Sequence, residues 1–468
     1  MTLQLLEGLF FCYKILGGIK LTDEKDLTSG NIVKTVITFA IPFLLANIIQ
    51  ALYGAVDLMV IGKYCTPDSV SAVSTGTQVT QIITSIISGL TLGGTVIVGR
   101  YAGMKREEDI KTTIGTNLTI FFIVGIILTV VMLVFVDNIL TLLQTPKSAF
   151  DEAKEYVSVC ACGIIFICGY NAISAILRGY GDSKSPLVFV FIDVCIDIFG
   201  DILLVKYFNM GVKGTALATI FSQGISMVFA IIYLKNKNFI FDFKLSNFKI
   251  SKDKLKSLAW VGIPVSFQEC MVRLSFLYLT SVTNSLGVNA SSAVGIASKY
   301  DVFAMLPATS VASALSAIVA QNYGAEKYDR MTKSLFIGIF LALPFSLAFF
   351  GWAQISPESM IGIFSKDENI ISVGIPFFKT CSFDYICVLF VFCMNGYLNG
   401  RSKTIFTMIS CCFGALALRM PLIYIVCKHF PENLGVIGTV APSVSFIMAV
   451  YTLVYVLYLA KNDKKIKL

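Results

Sequence analysis

One histidine, His429, serves a chain of 468 residues. That scarcity excludes histidine-rich metal centres and histidine-dependent nucleophilic triads, and no phosphate-cradling glycine loop stands in for them. An enzyme is therefore not expected, and His429 itself falls in an outer loop without a partner set. Charge is scarce too: 14% of residues, against 56% hydrophobic. A soluble chain of this length needs more polar surface than that, so the chain reads as a polytopic membrane protein. Its thirteen cysteines have no regular spacing. They lie mostly in apolar stretches, with Cys65 the clearest exception, and read as small apolar filler. Residues 1–22 have no cleavage site, and Glu7 and Lys14 interrupt their apolar run. An interfacial helix or an N-terminal extension suits them better than a signal peptide.

What the chain has in abundance is apolar segments of spanning length. Twelve are read, at 34–61, 72–99, 113–136, 155–177, 187–205, 213–234, 257–285, 290–318, 334–355, 369–397, 404–427 and 435–460. With a cytoplasmic N-terminus, the inner segments carry about 26 Lys and Arg and the outer loops about 7, so both termini are placed in the cytoplasm. The net charge of +8 reflects this bias and calls for no nucleic-acid partner.

Carboxylates interrupt this apolar pattern. Asp193, Asp197 and Asp201 recur every fourth residue, on one face of a helix, and Asp57 lies in the first span. A charge at mid-bilayer costs at least about 2.5 kcal/mol and marks a functional site by default. Helical rise puts Asp57 about 6 Å from the outer face and Asp201 about 21 Å above the inner one, so these residues and Asp197 can meet at one depth. Asp193 lies about 6 Å deeper and fits the group less well. Crowded carboxylates in a low dielectric cannot all remain ionised; they take up protons or bind a hard cation such as Na+ through oxygen. Cation movement across the membrane is the implied activity.

The chain also contains itself twice. Ala40-Ile41-Pro42 returns as Gly262-Ile263-Pro264, and Val98–Gly103 returns as Val319–Gly324. Gly181–Lys184 returns as Gly400–Lys403, and Gly211–Thr215 as Gly435–Thr439. Four matches in order make two parallel halves of six spans each. The expected division is an N-terminal extension (1–25), an N-lobe (26–234), a lysine-rich cytoplasmic linker (235–256), a C-lobe (257–460) and a basic tail (461–468). Two lobes around a cavity suffice for alternating access in a monomer.

Asp26–Gly30 before a span, Pro42 followed by Tyr53–Asp57 and Ile61-Gly62, Leu177–Asp182, and Gly214–Thr219 form a recognisable series. The chain resembles the multidrug and toxic compound extrusion (MATE) transporters over about residues 26–460. The resemblance implies an all-α membrane protein, with twelve helices in two six-helix bundles set in a V around a central cavity. It implies export of cationic, amphipathic organic compounds across the plasma membrane of a bacterium in exchange for Na+ or H+, with no other cofactor. It carries the N-lobe cation site onto Asp57, Asp197, Asp201 and Thr219, with Asp197 standing where the family usually has Asn. That extra titratable group favours protons, alone or shared with Na+.

Secondary candidates are Glu269 and Asp384, midway along C-lobe spans, as a second cation site or substrate contact. Arg273, one turn after Glu269, favours an ion pair instead. Lys299 with Asp301 is a candidate pair or gating element. Pro42 supplies a point at which the first helix can bend, and Arg419 reads as a packing residue. Apolar walls with a few carboxylates are expected to receive flat organic cations. The competing function is a flippase for a lipid-linked precursor, which predicts cationic residues along the cavity.

Overall fold

The computed structural model describes residues 26–236, 239–430 and 433–466, all-helical with no strand; the segment 1–25 lies outside the described residues. Among the described residues, nine helices are long and apolar enough to cross a membrane. They are α1 (Ile32–Tyr64), α2 (Pro67–Gly103), α3 (Glu107–Leu142), α6 (Gly211–Asn236), α8 (Val288–Gly324), α9 (Tyr328–Ile355), α10 (Glu368–Gly400), α11 (Thr404–His429) and α12 (Leu434–Asp463). A tenth span, α4, is the pair Lys147–Cys162 and Ile164–Tyr180, bent by 47° at Gly163. Two more have the length but are interrupted by charged and polar residues. The helix α5 (Lys184–Asp201), continued by a π-turn over Ile202–Tyr207, holds the three aspartates. The helix α7 (Lys252–Asn284) holds Gln268, Glu269 and Arg273. With these the spans number twelve among the described residues, and the two that fall short are those most interrupted by charged and polar side chains, Asp193, Asp197 and Asp201 in α5 and Gln268, Glu269 and Arg273 in α7. His429 ends α11 rather than lying in a loop.

Local chemistry sets the helix ends. Asn31 caps α1 by accepting from the Lys34 amide, and Thr66 caps α2 ahead of Pro67; both are preferred N-terminal devices. Gly181 ends α4 at φ +101°, a left-handed conformation that costs glycine no steric penalty. The repeat is visible in the irregularities: α4 breaks at Gly163, and α10 breaks at the corresponding Ser382.

In lipid, helices associate through close packing of small residues rather than through burial from water. The closest approaches between the two halves lie toward one end of the molecule. There Gly103 of α2 meets the Gln321 carbonyl and Gly324 of α8 that of Arg100, and farther along Gly93 of α2 lies against the Leu258 carbonyl and Gly262 of α7 against that of Leu90, leaving 2.6 and 2.7 Å to any added Cβ. Val96, Ile97, Leu258, Val261 and Ala320 form an apolar seam between the halves. Large apolar side chains such as Phe122, Phe221, Phe340 and Val454 face outward, as a lipid-contacting surface requires.

Two segments read as connectors are built into the structure. Residues 239–251 pack under the N-terminal half. Phe241 is buried against Ile110, Ile114 and Ile176 and edges onto Phe243 and Phe248, while Thr116 Oγ1 donates to the Lys249 carbonyl. The stretch before α1 docks on the opposite half. The Leu27 amide donates to Gln321 Oε1 at 3.0 Å, Asn322 Nδ2 to the Leu27 carbonyl at 3.1 Å and Lys327 Nζ to the Thr28 carbonyl at 2.8 Å, and Arg330 binds the Gly30 carbonyl. Leu27, Val36, Phe39 and Phe43 belong to one core with α8, α9 and α10 residues. The first helix thus spans both halves.

Candidate functional site

The periodicity of α5 puts Asp197 and Asp201 one turn apart on a single face, and that face meets the outer part of α1 and the start of α6. Asp57, Asp197 and Asp201 are all buried, and each offers an oxygen within 4.8 Å of the other two. One oxygen of Asp57 and both oxygens of Asp197 and Asp201 receive no hydrogen bond. Thr219 and Thr215 of α6 lie next to Asp197 and Asp201 respectively. Tyr53 donates to Thr219 Oγ1 at 3.3 Å, and that hydroxyl donates to the Thr215 carbonyl at 3.1 Å. No Lys or Arg forms an ion pair with these carboxylates among the described residues. Buried carboxylates without a protein counter-charge require protons or a bound cation, and an all-oxygen set suits a hard cation. The π-turn begins directly after Asp201, and such local irregularities recur at functional sites.

Asp193 shares the α5 face but does not join the three. It lines a separate central cavity of about 500 Å3, enclosed by both halves. Glu269 and Asp384 line it as well, so the sequence candidates fall into two places: three carboxylates in the N-terminal half and three along the cavity. The Glu269–Arg273 ion pair does not form, because Arg273 turns to the exposed side of α7. Lys299 and Asp301 do not pair either. Lys299 is exposed, whereas Asp301 turns inward beside Tyr385, Asp384 and Arg419. Pro42 lies inside α1, which continues through it unbroken.

The cavity wall differs from the apolar one expected. Phe43, Phe276, Phe392 and Met448 alternate with carboxamides, among them Asn47, Gln223, Gln268 and Asn395. Arg178, over the Phe43 ring, and Arg419, over Phe276, also face it. Sequence reasoning takes Arg419 for a packing residue and passes over Arg178 and the amides. The available signal was a run of uncharged polar residues inside spans, which hydropathy tolerates and therefore hides. Asn47 Nδ2 donates to Ser310 Oγ at 2.9 Å, so the helix that carries Asp57 is hydrogen-bonded to the opposite half midway along its length.

Comparison with known proteins agrees with this architecture. The sequence profile of the MatE family matches residues 42–203 and again 264–425, 222 residues apart, the spacing of the internal repeat. The probable multidrug resistance protein YoeA of Bacillus subtilis is 30% identical over 310 residues, 65% of this chain and 67% of that protein. The probable multidrug resistance protein NorM of Thermotoga maritima is 23% identical over 438 residues, covering 92% of this chain and 93% of its own. Among solved structures, a MOP superfamily transporter from Pyrococcus furiosus superposes with a TM-score of 0.88 at 21% identity, over 95% of this chain and all of the other.

Proposed function

The chain belongs to the MatE family of membrane transporters, and from that premise we propose that it exports organic cations in exchange for H+, Na+ or both. The observation that carries this reading is the buried group Asp57, Asp197 and Asp201, whose oxygens lie within 4.8 Å of one another with no basic partner. Uptake of protons or Na+ there removes negative charge from the outer part of α1. That helix is also held by the other half, through Asn47–Ser310 and the docked Leu27–Gly30 stretch. Neutralisation at Asp57 therefore acts on an element that both halves share, which is what coupling to alternating access requires.

The solute occupies the central cavity, where Asp193, Glu269 and Asp384 supply negative charge. The closed end is the cytoplasmic one, with both termini on that side by the distribution of basic residues, in the plasma membrane of a bacterium. A single chain suffices. The two cavity arginines lie in different halves and are outnumbered by acids, which favours this reading over a lipid-linked-precursor flippase with a cationic cavity.

The test is efflux of a fluorescent organic cation from proteoliposomes under an imposed Na+ or pH gradient, for wild type and Asp57→Asn. Efflux driven by one gradient and lost in the variant supports antiport and names the ion. Efflux under neither gradient, or a variant as active as wild type, removes the mechanism.

A further inference from the structure

The N-terminal carboxylates serve coupling and the cavity acids serve cations, which leaves the basic and amide groups of the cavity without a role. Arg419 is the most constrained of them. It closes the π-turn Phe413–Arg419, a stretch where α11 departs from regular α-helix. The side chain is 8% exposed. Its guanidinium lies 4.8 Å from the centroid of Phe276. The one hydrogen bond it makes is long, Nη1 to Ser275 Oγ at 3.4 Å, and Nε has no acceptor. Asp301 and Asp384 are close enough to feel its charge, yet neither closes an ion pair with it.

A guanidinium fixed on an aromatic face, with donors unfilled and turned toward a cavity, is matched by a planar carboxylate that can take two parallel N–H bonds. The neighbouring amides point the same way. Gln223, Gln268 and Asn395 each present a buried carbonyl oxygen that receives no hydrogen bond. A cation without hydrogen-bonding groups of its own would leave these groups unfilled, so among organic cations the cavity favours those that also carry donors and a carboxylate.

We propose that Arg419 anchors a carboxylate of the transported solute, so that the cavity takes a zwitterion. The carboxylate lies on Arg419 in the C-terminal half, the ammonium faces Asp193 in the N-terminal half, and hydrogen-bond donors between them reach the orphan carbonyls. The assignment rests on the reading of this cavity as the transport site.

The test uses the purified full chain in detergent and a labelled dipeptide, Phe-Gln, displaced by unlabelled Phe-Gln, by its C-terminal amide (a cation) and by its N-acetyl form (an anion). In the wild type the zwitterion displaces at least about tenfold better than the amide, the loss expected for one charge-assisted hydrogen-bonded contact. Arg419→Gln abolishes that ratio while affinity for the amide changes little, and Arg419→Lys, which keeps the charge but not the fork, retains part of it. Equal displacement by zwitterion and amide in the wild type overturns the assignment, as does the absence of saturable binding. So does an Arg419→Gln protein that weakens both ligands alike, which is the signature of a packing role. No gradient is needed for binding. Zwitterion selectivity in a protein that fails the efflux test would leave this assignment standing and remove antiport; the converse result would do the reverse.

Discussion

The docking of Leu27–Gly30 on the opposite half can be opened by one side chain. Gln321 is 1% exposed and joins three segments: its Oε1 accepts from the Leu27 amide and its Nε2 donates to the Gly179 carbonyl, both at 3.0 Å. Gln321→Met preserves length and approximate volume but removes both bonds. Leu27 is 2% exposed, so its amide would be left buried and unpaired. Each such group costs about 1–3 kcal/mol, and the two together about 2–6 kcal/mol. Opening this end to water relieves the penalty, so the substitution weakens the docked state specifically. Asn322, Lys327 and Arg330 still hold the neighbouring carbonyls, which makes the expected effect local opening rather than unfolding. Hydrogen exchange of the detergent-purified protein should show the Leu27 amide exchanging about 5- to 150-fold faster, the equivalent of one lost hydrogen bond. Amides in the middle of α3 should not change. Unaltered exchange over 26–30 in a folded Gln321→Met protein would refute the idea that this clasp holds the end closed.

Other perturbations follow from the same geometry. At an effective dielectric of about 20, two ionised carboxylates 4.8 Å apart repel by about 3–4 kcal/mol. Asp197→Asn is therefore expected to unfold at a higher temperature than wild type in alkaline, Na+-free solution, and to gain less from added Na+ or acid; identical melting would show that the three are never charged together. Gly93→Ala improves helix propensity by about 1 kcal/mol but places a Cβ 2.6 Å from the Leu258 carbonyl. Overpacking of about 1–3 kcal/mol should win, and a raised melting temperature would contradict the close α2–α7 contact. Burial works against ionisation of Asp26, but hydrogen bonds from the Thr28 hydroxyl and amide outweigh it and hold the carboxyl below its usual range. Since the folded value is the lower one, its contribution to the clasp is complete above about pH 4 and is lost as pH falls through that depressed value. Exchange at Thr28 should accordingly be flat from neutral pH to about 5, after correction for the intrinsic rate, and rise only below about 4.

The sequence by itself determined that the protein lies in a membrane, because a 14% charged chain leaves no alternative surface. It determined the twelve spans and the two-fold repeat, since length and period survive in one dimension. It also marked Asp57, Asp197 and Asp201 as able to share one depth, because helical rise fixes depth and a lipid-embedded carboxylate stands out against its neighbours; Thr219 joined them only through the family resemblance. Only the tertiary structure decided which polar residues meet. Asp193 shares a helix face with Asp197 yet opens on a different space, because neighbouring helices divide that face between a closed cluster and a cavity. Lys299 and Asp301, two apart, diverge as helical geometry demands, and the Glu269–Arg273 pair fails because Arg273 faces outward. Arg419 and the carboxamides gained a shared cavity from helices as far apart in the chain as α1 and α11. No local pattern encodes that meeting, since uncharged polar side chains cost too little in a span to mark themselves, and a single arginine reads the same whether it packs or binds.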